Sequence, residues 1–137
     1  MKKTSLSLAA LLMIVFSLHI PVSAQTSATW QGGKPGRPTD WNCPGNWKEG
    51  RPPNEFSQVL IPSCLVYYPV LEKEVEPIDA LLIEGGASVT LQKGAVLIIL
   101  CETGRFNGLI LLGKINNEGA LEIRNTQELS LVILNNH

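Results

Sequence analysis

Residues 80–100 read ALLIEGGASVTLQKGAVLIIL, three short and mostly apolar runs separated by glycine-containing links. Each run is four to six residues long, which is typical of a β-strand and too short for a helix. The links, EGG and QKG, consist of residue types that favour turns. This stretch therefore predicts three consecutive strands.

The same texture continues downstream. No window long enough for a helix keeps a 3.6-residue apolar period without an interrupting glycine or turn cluster. Upstream, a shorter strand candidate covers residues 58–61. The other runs that we predict as strands are ALLIE (80–84), SVTL (88–91), AVLIIL (95–100), GLILL (108–112), ALEI (120–123) and LSLVIL (129–134). The sequence thus predicts an all-β domain.

A Gly-Ala step opens three of these strands, at residues 86–87, 94–95 and 119–120. Glycine lets the backbone bend at a corner, and the small alanine leaves room for a neighbouring stretch of chain. This is the chemistry of a solenoid, in which each strand stacks on its equivalent one turn away. The spacings of 8 and 25 residues are not a fixed period, so the corners alone suggest the repeat.

The first 24 residues have the three parts of a secretory signal peptide. Residues 1–3 are basic at two positions, residues 6–20 are apolar, and residues 22–24 are small. The apolar part is shorter than the ~20 residues that span a bilayer. We expect cleavage after Ala24 and an exported protein (periplasmic, outer-surface or secreted) with no membrane span after cleavage. A retained anchor helix is the alternative.

Composition excludes several functions. The only histidines are His19, in the predicted signal peptide, and His137, so a Ser-His-Asp or Cys-His nucleophile lacks its base. Loss of Lys2 and Lys3 leaves nine of the 11 basic residues against 12 acidic ones, which argues against nucleic acid as a partner. We predict a protein that is not an enzyme and has no cofactor and no metal.

Three cysteines follow the predicted signal peptide, Cys43, Cys64 and Cys101. Export permits a disulfide. Cys43 and Cys64 lie in proline-flanked, loop-like sequence, and a bond between them would close a loop of ~20 residues and contribute roughly 3 kcal/mol. That bond and two free thiols are equally open interpretations. Cys101 ends an apolar run and is expected to behave as a small buried hydrophobe.

All three tryptophans lie in a segment rich in Gly, Pro and Asn. Residues 29–71, TWQGGKPGRPTDWNCPGNWKEGRPPNEFSQVLIPSCLVYYPVL, resemble the N-terminal module of secreted and surface proteins of the Bacteroidetes. In that family a Trp-x-Gly step, an Asp-Trp-Asn, an Asn-Trp, a Val-x-Ile-Pro strand and a Tyr-Pro-Val-Leu occur in this order. The later Gly-Ala and Asn-Asn-x-Gly steps are similar to those that open the rungs of a parallel β-helix there.

The resemblance implies a short right-handed parallel β-helix, or solenoid, with an irregular Trp-rich N-terminal cap. Residues 25–75 would be the cap region and residues 76–137 the rungs, in one domain. A cap has a purpose because an open coil end exposes strand edges and apolar core. We expect Asp40, Asn42 and Asn46 to satisfy loop amides through their side chains.

These expectations favour an exported, non-catalytic solenoid protein of the surface-adhesin or structural type. Cysteines are unusual in the family, and its members continue well beyond the position of His137. The chain is therefore either a small solenoid in itself or an N-terminal fragment of a longer protein. The apolar run at residues 129–134 predicts an open C-terminal edge that associates with itself or with another protein.

Two alternatives stay open. A carbohydrate-binding module would bind a glycan through aromatic faces, and its candidate ligand-binding residues are Trp41, Trp47, Tyr67 and Tyr68. A polysaccharide-acting enzyme, or a weak calcium site, would use Asp79 and the alternating acidic residues 72, 74 and 76. Such alternating residues share one face of a strand, and a solvated face is the simpler interpretation.

Overall fold

A computed structural model of the chain describes residues 25–102, 108–125 and 128–133, the last of these ranges by its backbone only. The predicted signal peptide, residues 1–24, lies outside the described residues, as do residues 103–107 and 134–137. In the described part of the chain no helix has the length and apolarity that a membrane crossing requires.

The described residues form strands joined by turns, which confirms the all-β prediction. The one helical element among them is a 3₁₀ turn, Pro44–Asn46. The strands are β1 Thr26–Thr29, β2 Ser57–Ile61, β3 Val70–Leu71, β4 Ala80–Ile83, β5 Ser88–Leu91, β6 Val96–Ile99, β7 Leu109–Leu111, β8 Lys114–Asn117, β9 Ala120–Asn125 and β10 Glu128–Ile133. A strand is found in every run that the sequence analysis selected.

The strands make three small sheets. Sheet 1 has the order β1-β2-β4-β7, sheet 2 the order β3-β5-β8, and sheet 3 the order β6-β9-β10. Neighbours are parallel in every pair except β9 and β10, which are antiparallel. Parallel neighbours cannot be joined by a tight hairpin, so the links between them are long crossover connections.

Successive strands are assigned to the sheets in turn. The chain passes through sheets 1, 2 and 3 with β4, β5 and β6, and again with β7, β8 and β9. Before them, β2 lies in sheet 1 and β3 in sheet 2, and single bridges then join Glu74 to Val96 and Ile78 to Ile99, beside sheet 3. Each stretch of chain therefore lies on the one before it.

The core lies between the sheets and draws inward-facing residues from all three. Parallel register stacks these residues, for example Ile61, Ile83 and Leu111 along sheet 1. Ile61 and Ile83 are fully buried, whereas Leu111 is 44% exposed. Burial of the core therefore decreases toward the last strands that the structure describes.

The Gly-Ala steps lie where successive stretches of chain meet. Ala87 and Ala95 are buried, at 2% and 1% exposure. A Cβ added to Gly113 would overlap the carbonyl oxygens of Glu84 and Ala87, and one added to Gly119 would overlap the carbonyl oxygen of Ala95. At these corners the backbones approach closely. The approach requires a small residue on one stretch of chain and a glycine at the facing position of the next stretch.

This approach predicts a large effect for one methyl group. Gly113→Ala is expected to lower the free energy of unfolding by about 3 kcal/mol, the upper end of the overpacking range, because backbone oxygens cannot swing aside. Urea unfolding would be compared with Gly85→Ala, whose added Cβ would have its nearest neighbour, the Leu112 oxygen, at 3.9 Å. Equal stability of the two variants would contradict the close approach.

Candidate functional site

Trp47 is the centre of a buried tryptophan cluster. Its ring makes edge-to-face contacts with Trp30 and Trp41, at centroid separations of 5.1 and 4.9 Å. All three side chains are 1% exposed. The indole N–H of Trp47 donates to the Trp41 carbonyl oxygen at 2.7 Å, and that of Trp30 donates to the Tyr67 carbonyl oxygen at 2.8 Å. In a segment without regular structure, the cluster thus buries three large rings, and the indole N–H groups of Trp30 and Trp47 are hydrogen-bonded.

Asn46 organises the loop that carries these tryptophans. Its side chain is fully buried. Nδ2 donates to the carbonyl oxygens of Arg37 and Asp40 at 2.6 and 3.0 Å, and Oδ1 accepts from the Lys34 amide at 2.8 Å. The Asp40 carboxylate accepts from the Asn42 amide at 2.8 Å. The expected side-chain bonds to the loop backbone are thus confirmed for Asp40 and Asn46. Asn42 takes part through its backbone N–H instead of its side chain.

The same segment lies along strand edges. The Glu49 carboxylate accepts from the Thr29 amide at 2.8 Å, and the Lys48 amide donates to the Thr29 carbonyl oxygen at 2.9 Å. At sheet 2, the Val70 amide donates to the Thr39 carbonyl oxygen at 2.9 Å. The outer edges of β1 and β3 are therefore partly covered by residues 39–49. The sequence does not distinguish Glu49 from a solvated acid, so its role was not predicted.

An open polar groove of about 380 Å³ lies between residues 36–42 and residues 70–75. Arg37 and Asp40 form an ion pair on one side of it. Glu72 and Lys73, both exposed, lie on the other side. Paired and free charges together with open access make this groove a candidate place for a polar ligand.

The four residues predicted to bind a glycan are not brought together as an exposed platform. Trp41 and Trp47 are buried, so the part of that hypothesis that rests on their ring faces is wrong. Tyr67 is 46% exposed. Tyr68 packs partly against the core, and its hydroxyl accepts from the Leu65 amide at 3.2 Å. Of these four residues, Tyr67 is the one that is exposed.

Of the two interpretations left open for Cys43 and Cys64, the structure has the free thiols, and Cys101 is free as well. Cys43 is buried beside the 3₁₀ turn, whereas Cys64 is exposed and has a left-handed backbone with φ of 61°. One thiol therefore points into the protein and the other into solvent. Cys101 is partly buried, and burial, together with the negative charge of Asp79, raises the pKa of its thiol.

These environments predict an order of alkylation by iodoacetamide near neutral pH. Cys64 should react first. Cys101 should react more slowly, because its partial burial and its raised pKa leave less accessible thiolate. Cys43 should react only when the protein unfolds. Peptide mass spectrometry along a time course measures the order, and a fast reaction at Cys43 in the folded protein would contradict the buried loop.

The acidic residues at 72, 74 and 76 are exposed and do not converge on one point. Glu72 lines the polar groove, whereas Glu76 lies beside Phe56 and Asn54 at another surface. Within the described ranges, no three His, Cys, Asp or Glu side chains are grouped as metal ligands. The arrangement is that of a solvated face.

The site that emerges is thus a buried tryptophan cluster, a loop held by Asn46 and a polar groove beside them. Comparisons of the chain with models of protein families, with curated proteins and with solved structures find no match.

Proposed function

We propose that the protein is an exported, non-catalytic β-solenoid of the surface-adhesin or structural type. The observation that carries this proposal is the assignment of successive strands to sheets 1, 2 and 3 in turn, in parallel register. A short parallel β-helix has this order, and the right-handed sense is the one that crossover connections between parallel strands almost always take. Repeat folds of this kind present extended surfaces for binding rather than a single enclosed pocket.

In this proposal residues 25–75 are the N-terminal cap region, which also includes the strands β1, β2 and β3 that begin sheets 1 and 2. The support is threefold: the buried tryptophans, the loop bonds of Asn46, and the cover that residues 39–49 give to two strand edges. A terminal rung needs such cover to stay soluble. The resemblance to secreted and surface proteins of the Bacteroidetes fits the same role, either for this chain alone or for the N-terminal part of a longer protein.

Export to the surface is testable in the cell that produces the protein. A tagged chain should be removed by protease added to intact cells, or should be recovered from the medium, and its N-terminus should be Gln25. The matched control is a chain in which residues 6–20 carry two added lysines, which should stay inside. Recovery of the unaltered chain only from the cytoplasm, with residue 1 intact, would rule out the proposal.

A glycan-binding role is the second candidate, and the polar groove favours it. Lys73 and Glu72 are exposed at the groove and bear charges that hydroxyl groups of a sugar could bind. A glycan array probed with the purified protein and with Lys73→Ala would test this role. Val66→Ala is the control, because Val66 is 87% exposed. Binding that is absent, or that is the same in all three proteins, removes this candidate.

A further inference from the structure

The two ends of the stacked sheets differ in how their strand edges are covered. At the β1 end, Glu49 and Lys48 satisfy the outer amide and carbonyl of Thr29. At the other end, β7 has β4 as its only hydrogen-bonded neighbour and β8 has β5, among the described strands. Sheet 3 continues by one more strand there, because β10 lies beyond β9. At this end, sheet 3 therefore extends one strand further than sheets 1 and 2, which leaves a step above β7 and β8.

The hydrogen bonds of β7 show which of its backbone groups face outward. The Leu81 amide donates to the Gly108 oxygen at 2.7 Å, and the Leu112 amide donates to the Ile83 oxygen at 2.9 Å. Because backbone groups alternate along a strand, Gly108, Ile110 and Leu112 face β4. The amides and carbonyls of Leu109 and Leu111 point away from it and form an edge without charge, since β7 reads LIL.

We propose that this edge binds β10 of a second copy of the chain, in a closed dimer with two-fold symmetry. A two-fold axis through sheet 2, perpendicular to the stack, places sheet 3 of each copy above sheet 1 of the other. The extra strand of one copy then fills the step above β7 of its partner. The two-fold rotation reverses the strand direction of the partner, so the partner's β9 would run antiparallel to β7. Because β10 runs antiparallel to β9, it runs parallel to β7, as the other strands of sheet 1 do.

The residues of the two edges favour this axis over a two-fold axis through sheet 1, which would place β10 of one copy above β8 of the other. Strand β8 reads KINN and begins with the exposed Lys114, and a charged or amide-rich edge tolerates water. Strand β7 is apolar, and exposed Leu111 and Leu112 lie at its end. Strand addition gains most where an apolar edge is covered. The two-fold operation uses both copies of this edge, so the assembly closes as a dimer instead of growing into a fibre.

The dimer is tested by sedimentation equilibrium combined with amide hydrogen exchange on the purified protein. We expect a concentration-dependent dimer in which the Leu109 and Leu111 amides exchange more slowly as concentration rises. The Ile110 amide faces β4 and should be protected at every concentration. Leu111→Lys should raise the dissociation constant by about tenfold or more, the effect of a central interface residue. Val66→Lys, a change at another exposed apolar residue, should leave it unaltered.

Three results would overturn the proposal. The first is a monomer at high micromolar concentration. The second is a dimer in which exchange at Leu109 and Leu111 does not depend on concentration, which would place the interface elsewhere. The third is an assembly whose size grows without limit. Circular dichroism of Leu111→Lys, matched to that of the unaltered protein, separates loss of association from loss of fold.

Discussion

Trp47→Ala is expected to lower the free energy of unfolding by about 4 kcal/mol, as large-to-small changes at buried tryptophan do. Stability of a domain this size is roughly 5–15 kcal/mol in total. Trp47 contacts both other indoles of the cluster and donates to the Trp41 carbonyl oxygen. Its removal leaves a cavity, two rings without their edge-to-face partner and one buried acceptor unpaired.

Urea unfolding followed by circular dichroism measures this loss. Phe56→Ala is the matched control, because that ring is 40% exposed and its loss should cost about 0.5 kcal/mol or less. Trp47→Phe should fall between the two, since it keeps an aromatic ring and loses the N–H donor. A Trp47→Ala protein as stable as the Phe56→Ala protein would mean that the cluster does not hold the segment in place.

The strands of residues 80–100 were predictable because their apolar runs are bounded by turn chemistry on both sides. Glycines 86 and 94 have φ of 84° and 90°, so the turns require the residues that the sequence shows there. The apolar side chains and the turn residues of this stretch favour the same structure, so its strands can be predicted from the local sequence. The sheet assignment was not predictable in the same way, because the parallel partners lie 20 to 31 residues apart in sequence.

The strands that sequence analysis missed are those stabilised by their neighbours. Strand β8, KINN, has the composition of a turn, yet its backbone pairs along the whole of β5. Its Asn116 amide donates to the Thr90 hydroxyl at 3.3 Å. Strand β1, TSAT, has one buried residue, Ala28, and pairs along β2. A preformed strand edge supplies hydrogen bonds to residues whose own preference for strand is weak.

The candidate site was partly predictable. The resemblance implied that the Trp-rich segment is a cap, and the burial of all three tryptophans fits that expectation better than it fits exposed ring faces. The position of the groove depends on how residues 36–42 lie against residues 70–75. These two segments are far apart in sequence. The cysteine environments depend on the same long-range arrangement, and spacing in sequence does not encode it.

Asn46→Asp is expected to destabilise the protein by about 3 kcal/mol near neutral pH, the effect of an uncompensated buried charge. The change keeps the volume of the side chain and the acceptor for the Lys34 amide. It replaces the Nδ2 donor with an oxygen that faces the carbonyl oxygens of Arg37 and Asp40. Asn46→Ala should cost less, about 2 kcal/mol, because it removes the side-chain bonds of the loop and the acceptor of the Lys34 amide without adding a charge.

The buried carboxylate of Asn46→Asp should make the stability of this variant depend on pH. Burial and two facing carbonyl oxygens should raise the pKa of the new carboxyl in the folded state above its unfolded value. The protonated acid can donate to one carbonyl, so the deficit relative to the unaltered protein should be smallest at acidic pH. It should grow as pH rises from the unfolded pKa through the folded pKa. Asn46→Ala should show a deficit that does not change with pH.

Asn54→Asp is the matched control for this prediction. Asn54 Oδ1 accepts from the Phe56 amide and the Ser57 hydroxyl at 3.0 and 3.2 Å, and a carboxylate performs both functions. Urea unfolding of all three variants and the unaltered protein at several pH values compares them directly. A deficit in Asn46→Asp that stays constant with pH, or that Asn54→Asp shares, would mean that the Asn46 amide donors are not what holds the loop. The expected difference follows because one asparagine is needed as a donor and the other as an acceptor.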